Sequence, residues 1–437
     1  MVGLFLFFLA LIFLFVGYPI AFTFAGLSLL TVFLAHLFGL LDQGVEMYNF
    51  IPFRLFDIMK NKILMAIPMF IFMGIVLQLS GLAERLLESM GKLFGSRPGG
   101  VAISTMVVGA FLAASTGVVG ASVVAMGVIS LPVMLKYGYD QRLATGTICA
   151  AGTLGQIIPP SIILIILGDV VNQPVGDLFS AALFPGLLLV GFYLVYIFTY
   201  THFRPLSAPP VPSDAINKRE LIVGALKDIV PPLSLIIIVL GSILTGIATP
   251  TESSALGAAG ALLLAKLYGK LDSKMVVVSA KDTVKVTAMV FAVLIGATAF
   301  SMVFTYSGGD AIVEEVMSDL PGGKWGFIGL SMLAIFVLGF FIDFVEIAFI
   351  VVPILVPIAE LFGLNMVWFA IIIAMNLQSS FMTPPFGFSL FYLKGVAPPE
   401  VKVTTIYRGV VPFIMIQLFM VFLLVVFPGI FGIESSA

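Results

Sequence analysis

Apolar stretches near residues 2–17, 19–40, 180–200, 229–247, 287–306 and 409–428 constrain this chain more than any other feature. About 20 apolar residues in a helix cross ~30 Å of hydrocarbon. Inside lipid every backbone polar group needs a partner, which leaves helical bundles and closed barrels as spanning structures. A barrel needs short strands alternating lipid-facing and lumen-facing residues, and these runs do not alternate. The expectation is an all-α polytopic membrane protein. Composition agrees, because only 10% of the residues are charged, against about 25% in soluble domains.

Several function classes fall away. A net charge of −2 gives no basis for a nucleic-acid partner. The single cysteine, Cys149, cannot form an internal disulfide, and His36 and His202 do not make a transition-metal site. The chain has no GxxxxGK[ST] motif to bind a nucleotide. No basic residue precedes the first apolar stretch and no small-residue cleavage site follows it, so it is expected to be a mature helix.

The chain divides into two related halves. Pro98-Gly99-Gly100 matches Pro321-Gly322-Gly323, Pro132 matches Pro357, and Gly138 matches Gly363. Pro159-Pro160 matches Pro384-Pro385, and Pro185 matches Pro412. The order is the same and the register drifts by only a few residues, which points to a duplication. The expected organisation is N-terminal scaffold helices with an interfacial arm helix (1–64) and a first repeat (65–202). A linker with scaffold helices (203–286), a second repeat (287–429) and a tail (430–437) follow. Within the linker, "RPLSAPPVPS" and the bases after it read as a solvated segment.

Charge orients the halves. Loop 81–98 carries Arg85, Lys92 and Arg97, whereas its partner, 307–325, carries Asp310, Glu314, Glu315 and Asp319 with Lys324 as its one base. Equivalent loops that differ in positive charge are expected when the repeats are inverted. With both termini outside and about ten spans, all but Arg54, Lys60, Lys62 and Lys324 of the 21 Lys and Arg residues lie on the cytoplasmic side. The first three sit on "FIPFRLFDIMKNKIL", which reads as an amphipathic helix in the membrane interface.

Four segments cannot be simple spans. Residues 100–135 are apolar but have both ends at basic loops, which predicts a re-entrant helical hairpin turning within Ala113–Ser122. The partner hairpin, 325–358, turns near Leu338–Glu346. After each hairpin comes a broken helix, interrupted within Gly152–Ser161 and Leu377–Gly387. Paired prolines remove two backbone donors and clash with the preceding turn. The carbonyls this frees suit a hard cation such as Na⁺, and half-helix N-termini suit a carboxylate. On this reading Gly117, Pro159, Pro160, Asp343, Pro384 and Pro385 contribute to substrate binding or coupling. The plainer reading is that Pro-Pro only kinks a span. Asp343, with Glu346 close by, is the best-placed intramembrane acid, either for ion or proton coupling or for hydrogen bonding at the turn. Ser115 and Thr116 are placed to cap the second arm of hairpin one.

The stretches "GYPIAF", "ASTGVVGASVVAMGVISLPVMLKYGYD", "ATGTICAAGTLGQIIPPSI", "GIATPTESSA" and "FMTPPFGFSLF" resemble signature stretches of the large membrane subunit of TRAP (tripartite ATP-independent periplasmic) transporters. The resemblance implies an elevator-type carrier in the bacterial inner membrane. It also implies Na⁺-coupled uptake of a small organic acid, and two partners, a four-helix small membrane subunit and a periplasmic substrate-binding protein. No cofactor is implied beyond Na⁺ as the coupling ion. By the family pattern the ion ligands are Ser115, Thr116, Gly155 and Ile158 in one half, and Gly339, Ser380, Thr383 and Phe386 in the other. The glycine and phenylalanine of the second set act through their carbonyls. Ser380 stands where many relatives have glycine.

Three other classes compete with this one. A stand-alone carrier of di- or tricarboxylates would share this architecture and need no binding protein. A membrane-embedded enzyme would need a catalytic constellation at depth, and neither histidine supplies one. A pump scaffold would need an energy source on another subunit.

Overall fold

The computed structural model of the chain describes residues 2–40, 44–95, 97–210 and 218–436. Ser96 in the first basic loop, residues 211–217 of the linker and Ala437 of the tail lie outside the described residues. Regular structure among the described residues is helical.

The N-terminal region is α1 (Val2–Val16), α2 (Ile20–Leu37) and α3 (Ile51–Lys60). Helix α1 is built into the body of the protein, since Leu6 and Ala10 are fully buried. Its Phe7 ring lies 6.3 Å from both Phe300 and Phe304. Helix α3 buries none of its residues, exposes Phe53 and Phe56, and lays Lys60 Nζ 4.2 Å over the Phe56 ring. Rings on one side with bases at the margin suit a helix lying in the interface.

Helices α4 (Ala66–Leu79) and α5 (Leu82–Phe94) meet at a 56° bend. Helix α5 is amphipathic. It buries Leu82, Leu86, Leu87 and Met90 and turns the Lys92–Glu88 pair outward. Helices α6 (Gly100–Thr116) and α7 (Val119–Lys136) form the first hairpin. Helices α8 (Gln141–Thr153) and α9 (Ile162–Val170) are the two pieces of a broken helix, and α10 (Val175–Phe203) follows. Helices α11 (Lys218–Leu244) and α12 (Pro250–Leu267) separate the repeats. The second repeat contains α13 (Ser273–Tyr306), α14 (Gly309–Ser318), α15 (Lys324–Leu338), α16 (Phe344–Glu346) and α17 (Val352–Leu361). It ends with α18 (Met366–Met382), α19 (Phe388–Val396) and α20 (Val403–Val426).

The duplication is visible at matched points of the backbone. Gly81 and Gly308, both at positive φ, precede α5 and α14. Asp140 and Asn365 cap α8 and α18 in the same manner, each accepting from two amides of the first turn. The Pro159–Pro160 and Pro384–Pro385 bonds are both cis. Pro185 and Pro412 lie inside α10 and α20. The repeats also interlock reciprocally, with α8 packed on α20 and α18 on α10. At the first crossing Gly146 meets the carbonyl of Gly409. Within the second repeat, Trp368 Nε1 of α18 donates to the Leu424 carbonyl of α20 at 2.8 Å.

Seven helices among the described residues are long and apolar enough to cross a membrane, or eight if α4–α5 is one span. That set includes the second arm of each hairpin and leaves out α1, α12 and the split helices. A length criterion therefore does not reproduce the expected ten spans, which count α1 and each broken helix as one.

The structure narrows two of the expected bounds and adds one feature. The turn of hairpin one is confined to Gly117–Val118, because α6 runs helically through Ser115 and Thr116. The second break is Thr383–Gly387, because α18 continues to Met382. The second arm of hairpin two includes a π-helical turn over Ile347–Val351, which nothing in the apolar pattern signals.

Candidate functional site

Hairpin one ends against the first broken helix. Gly117 terminates α6 at φ +62°, a left-handed conformation that glycine adopts without a side-chain penalty. A Cβ on it would lie 3.1 Å from the Ile162 side chain, where α9 begins. A Cβ on Gly155 would lie 2.4 Å from the Ala113 carbonyl, so the broken segment also touches the end of α6. From the other side α4 closes on the tip, because a Cβ on Gly74 would lie 2.5 Å from the Thr116 Cα.

The polar groups at this tip are arranged inward. Ser115 Oγ donates to the Leu112 carbonyl at 2.8 Å. Thr116 Oγ1 pairs with Ser122 Oγ at 2.8 Å. Neither residue is the cap of α7, as the sequence suggested. That position belongs to Val118, which makes no side-chain cap bond. The reason is that α6 keeps both residues in its last turn, where a serine hydroxyl reaches back to its own helix. Ser115 still has oxygen lone pairs to offer a cation.

Hairpin two is built alike. Gly339 ends α15, and a Cβ on it would lie 2.1 Å from Ser380 Oγ. Ser380 Oγ donates to the Leu377 carbonyl at 2.7 Å and Thr383 Oγ1 to the Ser379 carbonyl at 2.8 Å. Thr383 is the C-cap of α18 and the first residue of the break. The structure thus brings Gly339, Ser380 and Thr383 to one place. The Phe386 side chain turns outward, 5.3 Å from the Phe341 ring. In the first half, Ile158 is buried beside Gly186 of α10.

Not every carbonyl near the breaks is free. Ser161 Oγ donates to the Gln156 carbonyl at 2.8 Å, Ser389 Oγ to Phe381 at 2.9 Å, and Tyr407 Oη to Pro385 at 2.5 Å. Side-chain hydroxyls therefore take up part of the deficit that the prolines create.

Asp343 stands at the start of α16 with Glu346 one turn later. Asp343 Oδ1 and Glu346 Oε2 are buried with no hydrogen-bond partner among the described residues. Tyr392 of α19 lies within electrostatic reach of both acids. Its ring is 3.0 Å from where a Cβ on Gly120 of α7 would be. Tyr392 therefore packs α19 against the second arm of hairpin one, on the side of the acidic turn of hairpin two.

Sequence reasoning missed Tyr392 and two amides. The Gln156 and Gln378 side chains are buried with oxygen and nitrogen both unpartnered among the described residues. Both lie inside the two interrupted segments, "GTLGQIIPPS" and "LQSSFMTPPFG". An amide in an otherwise apolar stretch was the available signal, since buried polar groups are normally paired.

An all-helical membrane protein whose two repeats each seat a hairpin tip on a broken helix has the architecture of a transporter. The family described as "Tripartite ATP-independent periplasmic transporter, DctM component" matches residues 6–430, nearly the whole chain. The chain belongs to this family and is a multi-pass protein of the inner membrane. It is 31% identical to the C4-dicarboxylate TRAP transporter large permease protein DctM of Pseudomonas aeruginosa, over 85% of this chain and 86% of that one. It is also 31% identical to the ectoine/5-hydroxyectoine TRAP transporter large permease protein UehC of Ruegeria pomeroyi, over 84% of each. Its fold is similar to that of the YdaH transporter of Alcanivorax borkumensis, at a TM-score of 0.59, 14% identity and 86% coverage of both chains.

Proposed function

We propose that this chain is the permease of a Na⁺-coupled importer that takes up a small organic carboxylate handed over by a periplasmic binding protein. The supporting observation is the repeated contact of hairpin tip and broken helix, Gly117 on Ile162 and Gly339 on Ser380. Each contact gathers serine or threonine oxygens beside a Pro-Pro interruption. Oxygen ligands of this kind, from hydroxyls and backbone carbonyls, are what a hard cation takes. Two such places suggest one Na⁺ site in each half, with cargo held between the tips. In this reading the hairpins and broken helices move as one body against the remaining helices, in the manner of an elevator. On the same reading the permease works with a small four-helix membrane subunit and a binding protein, and the word tripartite in the family's description supports two partners.

The relatives do not share one cargo, since their names specify C4-dicarboxylate and ectoine. A carboxylate is the group common to both molecules, and the half-helix N-termini α9 and α19 offer it a positive end.

Uptake assays test the proposal. The chain is reconstituted in proteoliposomes with the small subunit, an inward Na⁺ gradient and a binding protein loaded with succinate or ectoine. Accumulation should require Na⁺ and all three proteins. Uptake by the chain alone would establish the stand-alone carrier instead, and uptake indifferent to Na⁺ would overturn the coupling.

A further inference from the structure

A cavity of about 520 Å³ lies away from the hairpin tips, between the arm helix α3, the end of α9, the far end of α13 and the second arm of hairpin two. Its volume falls in the range of small-molecule sites, about 300–1,000 Å³. Helix α13 starts among Lys274, Lys281 and Lys285, so the cavity sits at the end opposite to those bases. In the orientation set by the basic loops, that end faces the periplasm.

The walls are chemically uneven. Arg54 and Asp57 stand one turn apart on exposed α3 and both line the cavity. Ser301, Thr305 and Tyr306 line it from α13. Among the described residues, Arg54 and Asp57 have no ion pair, and the three hydroxyls have no hydrogen bond. Across from them, Asn61 Nδ2 donates to Asp169 Oδ1 at 2.6 Å, joining the end of the arm to the broken helix. Phe349 and Pro353 of hairpin two complete an apolar side. The cavity thus offers one unpaired guanidinium, free hydroxyls and two carboxylates in a seam between elements that the elevator reading assigns to different bodies.

We infer that this cavity is a second ligand site, taking a small molecule with one carboxylate and several hydroxyl or ammonium donors. Arg54 receives the carboxylate, because a guanidinium binds it through a planar fork of donors. Asp57 and the α13 hydroxyls receive the donors. A dianion is disfavoured, since its second carboxylate would face Asp57 and Asp169. That the ligand is cargo on its way to the hairpins rests on the transport reading above, whereas the site itself does not.

Calorimetric titration of the purified chain with gluconate, ectoine and succinate, in sodium and in potassium salts, tests the inference. Gluconate or ectoine should show a binding phase that is the same in both salts, and succinate should lack it. Arg54→Gln should weaken that phase about tenfold or more, as for loss of a charged hydrogen bond. Ser301→Ala should weaken it less, and Thr383→Ala should leave it unchanged. Arg54 is exposed, so its replacement does not threaten folding. Absence of the phase with all three probes, or indifference to Arg54→Gln, overturns the site. A phospholipid headgroup offers the same anionic chemistry as the carboxylate. If native mass spectrometry shows that Arg54→Gln strips phosphatidylglycerol while gluconate and ectoine still bind as before, the site is a lipid contact and the inference fails. If the Arg54-dependent phase persists but no Na⁺-sensitive binding exists, the hairpin reading falls and this site stands.

Discussion

Gly339 and Ser380 touch so closely that a Cβ on the glycine would lie 2.1 Å from the serine Oγ and 2.7 Å from its Cβ. The tip of hairpin two is thereby pressed onto the last turn of α18, next to the break. Gly339→Ala should cost about 1–3 kcal/mol, the usual range for overpacking. In the double variant with Ser380→Gly most of that loss should return, because the clashing atoms are gone. A double-mutant cycle on thermal melting reads the coupling. Additive effects would mean that the tip relaxes elsewhere.

Thr383→Ala and Ser115→Ala each remove one hydroxyl oxygen beside a Pro-Pro break. Loss of one of several oxygen ligands should cost about 1–3 kcal/mol, or roughly ten- to hundred-fold in apparent Na⁺ affinity. Melting temperature titrated with Na⁺ at constant ionic strength measures it. If both variants fold and keep the wild-type Na⁺ response, the ion sites lie elsewhere.

Asp343 Oδ1 and Glu346 Oε2 are buried without partners among the described residues, and an unpaired buried polar group is costly, at about 1–3 kcal/mol. Asp343→Asn and Glu346→Gln should therefore melt no lower than wild type in Na⁺-free buffer, while uptake is lost. Lower melting temperatures in both would identify the acids as structural hydrogen-bonding groups of the turn.

Orientation is testable by labelling. In a Cys149→Ser background, Ser318→Cys on α14 should react with an impermeant thiol reagent in intact cells, and Glu88→Cys on α5 should not. Both positions are exposed, on the helices that follow Gly81 and Gly308 in the two repeats. The reverse pattern would invert the topology, and with it the side on which the Arg54 cavity opens.

Much of the architecture was legible because membrane chains write it in one dimension. The apolar runs defined a helical bundle, since lipid leaves the backbone few alternatives. The prolines and glycines that mark the duplication reappear as matched caps, turns and helix interruptions, because their backbone restrictions act locally. Hairpin one could be read from an apolar segment with both ends at basic loops, and hairpin two as its repeat partner. Each tip could be located to within a few residues.

Contacts between distant segments were decided only by the tertiary structure. Whether Ser115 capped α7 or stayed in the last turn of α6 depended on where Gly117 could turn the chain against Ile162, and on how closely α4 approached at Gly74. Tyr392 gained its place against Gly120 from the packing of α19 on α7. The Asn61–Asp169 bond and the cavity beside it join residues from separate parts of the chain. Periodicity and local backbone chemistry determine elements one at a time, whereas a site made between elements exists only after the helices have chosen their neighbours.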